Sequence, residues 1–476
     1  MNIRPDVPRP ARGEDGLLLA LAVIAGGFAG VAVAGFRLAI DWSSRLLLGA
    51  HLRPHSLSLL IVPCLTGLVI AGLTMHLFPA SRRSGVNQTK AALYLHGGYL
   101  SLRSAVGKFV TAALAIGSGQ SLGPEDPALH IGAAIGSWLG RHGGLGGERR
   151  GLMAPVGAAA GLAAAFGAPV SAVLFVIEEI TGGWSALSLG AAMLAAAASI
   201  ATTHALLGPG PLLHLDAPVV LGPEELAAYA GIGVAGGLLS VLFARLLAWL
   251  RRSLQALPRP TRYLQPALAG LLIGGIGYLG APQVMGAGYG VIDQVAQGGF
   301  LWEMLGLLAL LKLLATTLSL GSGTPGGMFA PTLVIGALLG ASFGGAGRAL
   351  LPSLDLASGT AALIGMSALF AGFLRAPITA IFMVVEVSGD YPVAVPAMIA
   401  ATLAYLVSRR LQREPIFDLL ARQDGLVLPS MESEREGARF RAGDGMLAPS
   451  GRSHDRMPAG PARQSAAAAG WGEDGG

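Results

Sequence analysis

The chain writes one frame twice. AIGSGQSLGPEDPALHIGAAIG, residues 115–136, returns as LSLGSGTPGGMFAPTLVIGALLG, residues 318–340. Lys108, Gly117, Ser118, Gly119, Gly123, Pro127, Ile131, Gly132 and Gly136 reappear, at constant spacing and without a gap, as Lys312, Gly321, Ser322, Gly323, Gly327, Pro331, Ile335, Gly336 and Gly340. A second pair, APVSAVLFVIE at 168–178 and APITAIFMVVE at 376–386, repeats in the same order. The chain is therefore an internal duplication, and any fold it adopts must place two like halves side by side.

Apolar residues make up 53% of the chain and charged residues 12%, which excludes an ordinary soluble enzyme. Runs at 16–40, 57–77, 187–206, 229–250, 264–278 and 301–320 match or approach the roughly 20 residues a helix needs to cross a bilayer. Shorter runs such as 105–116 cannot cross alone, and Gly- and Pro-rich breaks between runs predict helices that stop partway and leave backbone lining a polar cavity. The first apolar run is too long for a signal peptide and lacks a small-residue cleavage site, so it reads as a retained span. Cys64, the single cysteine, sits in an apolar run and reads as packing. The net charge of +5 comes largely from arginines in linkers and tail, which report topology; no nucleic-acid partner, metal or cofactor is expected. Asn87-Gln88-Thr89 matches a short glycosylation pattern that chance produces often.

The expected organisation is a polar arm at 1–15, a first membrane repeat at 16–215, a joint at 216–226, a second repeat at 227–423 and a polar, disordered tail at 424–476. If Arg82-Arg83 and Arg251-Arg252 both face the cytoplasm, the halves enter the membrane from opposite sides. The fold class is then all-α and polytopic, with an inverted-topology repeat built on broken, partly spanning helices, both termini being cytoplasmic.

Duplication supplies an internal control. Features shared by the halves, Lys108 with Lys312 and Glu178 with Glu386, read as scaffold that satisfies buried backbone. Glu125 corresponds instead to Phe329, and Glu179 to Val387. An ionisable group kept within the membrane in one half only is costly and marks an ion or proton path. Glycines let backbone approach an ion, and helices starting at SGVN, GPEDP and GGMFAP aim unpaired N–H groups and positive dipole ends inward, as an anion site requires. A glutamate there acts as a tethered anion that protonation releases, coupling proton and anion by competition.

From residue 16 to about 422 these segments resemble the CLC chloride channels and chloride/proton antiporters. LGPEDPALHIGAAIG resembles that family's GREGP segment, GSGTPGGMFAP its GGIFAP segment and RSGVN its GSGIP segment; AAFGAPVSAVLFVIEEI and MSALFAGFLRAPITAIFMVVEV resemble two further helix pairs. The resemblance implies a homodimer in the bilayer of a bacterial inner membrane, with one pore per subunit, chloride as the main anion and protons as the counter-substrate. It places Glu125 as the gating glutamate, Glu179 as the internal proton-transfer glutamate, and Ser84, with Gly85, at the central anion beside the backbone N–H groups of Met328 and Phe329. Ser84 in place of proline implies chloride over nitrate, and Glu179 implies an antiporter. Passive chloride conduction, or antiport of fluoride or nitrate, remain the alternatives.

Four positions depart from the family pattern. Asn87 replaces a proline, Pro124 an arginine and Asp126 a glycine, while Phe417 stands where a tyrosine hydroxyl would meet the central anion. Outside that reading, His130 is a candidate proton shuttle or a packed histidine. Ser118, Ser121 and His130 raise an intramembrane serine hydrolase, against which stand the recurrence of Ser118 as Ser322 and the lack of a strand-turn-helix nucleophile elbow.

Overall fold

The computed structural model describes residues 12–49, 52, 54–183, 185–208 and 219–432. Among them the chain is helical, and the sole β-type pairing is an isolated bridge between Gly123 and Gly327. The first half comprises α1 (Arg12–Leu48), α2 (Ser58–His76), α3 (Gly85–Leu95), α4 (Leu102–Gly117), α5 (Glu125–His142), α6 (Gly147–Phe166), α7 (Pro169–Phe175) and α8 (Ala186–Leu207). The second repeats the order as α9 (Pro223–Ala256), α10 (Gln265–Tyr278), α11 (Tyr289–Ala296), α12 (Trp302–Gly321), α13 (Phe329–Leu350), α14 (Ser358–Leu374), α15 (Pro377–Ser388) and α16 (Ala394–Leu411), and α17 (Ile416–Gln423) follows. Seven helices among the described residues are long and apolar enough to cross a membrane, including α13 and the segment Tyr391–Leu411, so the chain is a multi-pass membrane protein. The run at 264–278, expected to approach that length, forms a helix of only 14 residues.

Packing repeats with the sequence. α5 lies against α6 as α13 lies against α14, and α1 lies against α8 as α9 lies against α16. Glycine makes the first of these approaches possible: a methyl group at Gly132 would strike the Gly157 carbonyl of α6, and one at Gly340 would strike the Ala361 carbonyl of α14.

Reciprocal bonds fix how the halves meet. Gly123 N donates to Gly327 O at 2.8 Å and Gly327 N to Gly123 O at 2.7 Å, so equivalent residues pair antiparallel across a local two-fold axis. Glu178 accepts from Ile378 N at 3.3 Å and Thr379 N at 2.8 Å, at the start of α15. Its counterpart Glu386 accepts from Val170 N at 2.9 Å and Ser171 N at 2.7 Å, at the start of α7. Each half thus caps the broken helix of the other with a carboxylate where the first-turn N–H groups lack partners. This is the inverted repeat expected from the sequence. The paired lysines likewise bind carbonyls, Lys108 those of Ser81 and Arg83 and Lys312 those of Val284 and Gly286.

Two expected boundaries shift. α1 begins at Arg12, inside the polar arm, where Asp15 pairs with Arg149 at 2.6 Å. Residues 1–11, and 216–218 of the joint, lie outside the described residues. The tail is ordered at its start: Asp424 pairs with Arg251 at 2.7 Å, and Glu432 accepts from Arg375 at 3.3 Å and from Tyr405 at 2.9 Å. Composition missed this because one buried cation can anchor a polar segment. Arg375 closes α14 at φ 61°, where the first half has Gly167 at φ 69°, and its guanidinium also reaches the Gln412 carbonyl. The strain of a left-handed arginine is thereby offset by buried polar bonds. The rest of the expected tail, 433–476, lies outside the described residues.

Candidate anion and proton site

The Gly123–Gly327 bridge sets the first turns of α5 and α13 beside each other at the axis. Pro124 precedes α5 and Met328 precedes α13, so the first residues of the two helices are Glu125 and Phe329, both fully buried. The Glu125 carboxylate turns toward the other helix: Oε2 accepts from Ala330 N at 3.2 Å, in the first turn of α13, and Oε1 accepts from the Tyr289 hydroxyl at the start of α11. Tyr289 escaped the sequence reading; an aromatic hydroxyl at a helix start inside the glycine-rich GAGYG was the available signal.

Asp126 does the same toward α3. Its Oδ1 accepts from Ser84 Oγ at 2.9 Å, Gly85 N at 2.8 Å and Val86 N at 3.2 Å, and Oδ2 stands 3.2 Å from Lys108 Nζ. Ser84 is therefore the N-cap residue of α3, as its place at the head of SGVN suggested, but its hydroxyl is turned to Asp126. Gly85 matters here as glycine, since a Cβ would meet the Asp126 carbonyl oxygen at 2.6 Å. Two adjacent carboxylates thus occupy the amino termini of two different helices, each as an anion would.

Phe329, the counterpart of Glu125, belongs to an aromatic cluster. Phe329 sits 4.9 Å from Phe175 and 6.2 Å from Phe417, ring centre to ring centre, and Phe417 is itself 6.2 Å from Phe175. Phe417 is fully buried at the start of α17, and its carbonyl accepts from Asn87 Nδ2 at 2.9 Å. Asn87, one of the four departures, thereby ties α3 to α17; it and Thr89 are buried, so the glycosylation pattern is inaccessible.

Glu179 lies apart from this cluster, on a π-helical turn, Val176–Thr181, that continues α7. It is buried and pairs with Lys90 Nζ at 2.8 Å, and Lys90 also stands 3.4 Å from Asp418 of α17. The sequence reading did not single out Lys90 or Asp418. His130 Nε2 bonds Ser104 Oγ at 2.9 Å, the packed reading. Ser118 donates to the Ala115 carbonyl and Ser121 pairs with Thr316, so neither serine has the histidine base a hydrolase needs.

Inverted repeats that bury a one-sided glutamate among helix amino termini define a multi-pass membrane protein of the anion-transport class. The comparisons agree. The family model described as voltage gated chloride channel matches residues 66–409. The chain is 31% identical over 419 residues, 85% of its own length and 89% of the relative's, to the H(+)/Cl(-) exchange transporter ClcA of Vibrio parahaemolyticus. It is 32% identical over 382 residues, 79% of its length and 88% of the relative's, to the putative chloride channel protein ClcB-like of Ralstonia nicotianae. Among solved structures, a slow cyanobacterial Cl-/H+ antiporter superposes with a TM-score of 0.78 at 25% identity, covering 86% of this chain and 98% of that one. A CLC-type fluoride/proton antiporter shares the fold, with a TM-score of 0.73 at 24% identity, covering 87% and 99%. The chain belongs to the voltage-gated chloride channel family.

Proposed function

We propose that this protein exchanges chloride for protons across a membrane, with Glu125 as a gate that competes with the anion. The observation that carries the reading is the Glu125 carboxylate seated on the Ala330 N–H of α13, where the second half of the repeat keeps no acid. Protonation removes the charge that holds it there, and an anion then takes the donors. Ser84, Gly85, Met328 and Phe329 line the anion's route, and Phe417 packs its aromatic wall. Glu179 relays protons on the inner side, and Lys90 and Asp418 set its charge environment. Relatives and a solved neighbour named as chloride/proton exchangers support the substrates. A homodimer with one pore per subunit, in a bacterial inner membrane with cytoplasmic termini, completes the proposal.

The test is purified protein in liposomes under a chloride gradient, with chloride and proton movements recorded together. Chloride efflux should drive protons the opposite way, at a fixed ratio. Chloride efflux with no proton movement would make the protein a passive channel.

A further inference from the structure

The Asp126 carboxylate has a full set of anion ligands and no scaffold duty that the other half of the molecule needs. In the second half Ala330 stands at its position, and Lys312, the counterpart of Lys108, is held by the Val284 and Gly286 carbonyls. Lys108 has the equivalent carbonyls of Ser81 and Arg83, so Asp126 is an addition to a lysine already satisfied. The acid gathers one hydroxyl, two backbone N–H groups and one ammonium onto a side chain that is 3% exposed. It also lines a cavity shared with Arg82, Arg83 and Arg251. Arg251 is paired with Asp424, yet three guanidinium groups against one further carboxylate favour a dissolved anion over a cation in this cavity. An anion that enters this cavity finds the Ser84, Gly85 and Val86 donors taken.

We propose that Asp126 is a second tethered competitor for the transported anion, independent of the Glu125 gate, and that an anion occupies the α3 amino terminus only when this carboxylate withdraws. The proposal rests on the exchange reading for the identity of the anion, a small halide, and on the geometry alone for the competition. Its effect is to lower the protein's affinity for chloride at the α3 end, as Glu125 lowers it at the α13 end.

Two measurements test it. The first is calorimetric titration of sodium chloride into full-length protein in detergent, for wild type, Asp126→Ala and Asp126→Glu. Asp126→Ala, which copies the second half, should bind chloride at least tenfold more tightly, whereas Asp126→Glu, which keeps the charge, should gain nothing. Equal or weaker binding by folded Asp126→Ala overturns the proposal. The second uses wild type alone and stands even if the variant does not fold. Labelling of Asp126 by a membrane-permeant carbodiimide, read by peptide mass spectrometry, should rise as chloride replaces gluconate, because the displaced carboxylate leaves its donors. Labelling indifferent to chloride overturns the proposal. If Asp126→Ala gains affinity while liposomes show no proton coupling, the exchange reading falls and this one stands. Intact coupling with unchanged affinity does the reverse.

Discussion

At the same turn of the repeat the first half starts its helix with Glu125 and Asp126, and the second with Phe329 and Ala330. The surrounding frame is nearly identical, down to the reciprocal glycine bridge and the paired lysines. What differs is the direction in which charge is offered. The first half sends one carboxylate across the axis to the α13 amino terminus and one back to its own α3. The second half answers with backbone N–H groups, a tyrosine hydroxyl and a ring that closes an aromatic wall. A duplicated frame thus supplies two sets of helix-end donors, at α3 and α13, and the two carboxylates of the first half cover both while the second half contributes none.

The strongest way to break this comparison is to make the halves alike at the gate. Glu125→Gln keeps the shape of the side chain and removes its charge. Proton movement coupled to chloride should vanish, while chloride still crosses the liposome membrane. Unaltered proton pumping in that variant would remove Glu125 from the gate.

A second asymmetry, Glu179 against Val387, predicts a narrower loss. Glu179→Gln should suppress proton movement and leave chloride movement largely intact, since the helix carries valine at this place in the other half. The structure adds a condition: Lys90 is 0% exposed and keeps Asp418 as its remaining acid at 3.4 Å. Breaking a buried pair costs roughly 3–5 kcal/mol when one charge is left alone, and Asp418 reduces that here. A Glu179→Gln protein that elutes aggregated on size exclusion would make Glu179 a structural partner of Lys90.

The shared carboxylates test the opposite claim, that what repeats is scaffold. Glu178→Ala strips the start of α15 of its acceptor and should lower stability by about 3 kcal/mol, since hydrogen bonds to charged groups contribute about 1.5–3 kcal/mol each and do not add fully. Glu386→Ala should cost less, because Glu386 is only partly buried where Glu178 is buried. Thermal unfolding in detergent would read both, and a change in coupling ratio in either variant, with the melting temperature kept, would contradict a scaffold role.

The duplication made the halves, their order and the paired Lys and Glu positions readable, because each is a sequence-to-sequence comparison. It could not reveal Asp126 on Ser84, since those residues lie 42 apart and meet only through the fold. Lys90 was hidden for the same reason: it reads as one cation in a short helix until α3 brings it to Glu179. Arg375 shows the reverse limit, a residue inside a recognisable segment, with Gly167 at its place in the first half, whose side chain orders the beginning of the tail.

The smallest expected effect concerns Phe417, which stands where the family resemblance leads one to expect a tyrosine. Restoring the hydroxyl adds a donor to the anion, and a hydrogen bond to a charged group contributes about 1.5–3 kcal/mol. Against this stands the packing: Phe417 is fully buried with Phe329 and Phe175 each 6.2 Å from its ring centre. Inserting an atom into a packed core typically costs about 1–3 kcal/mol. The two terms nearly offset, so Phe417→Tyr should tighten chloride binding by tenfold or less, at about 1.4 kcal/mol per tenfold. Calorimetric titration of chloride into both proteins measures the sign. Tighter binding places the ring tip toward the anion; equal or weaker binding in a folded variant makes Phe417 a member of the aromatic wall alone, with no part in holding the anion.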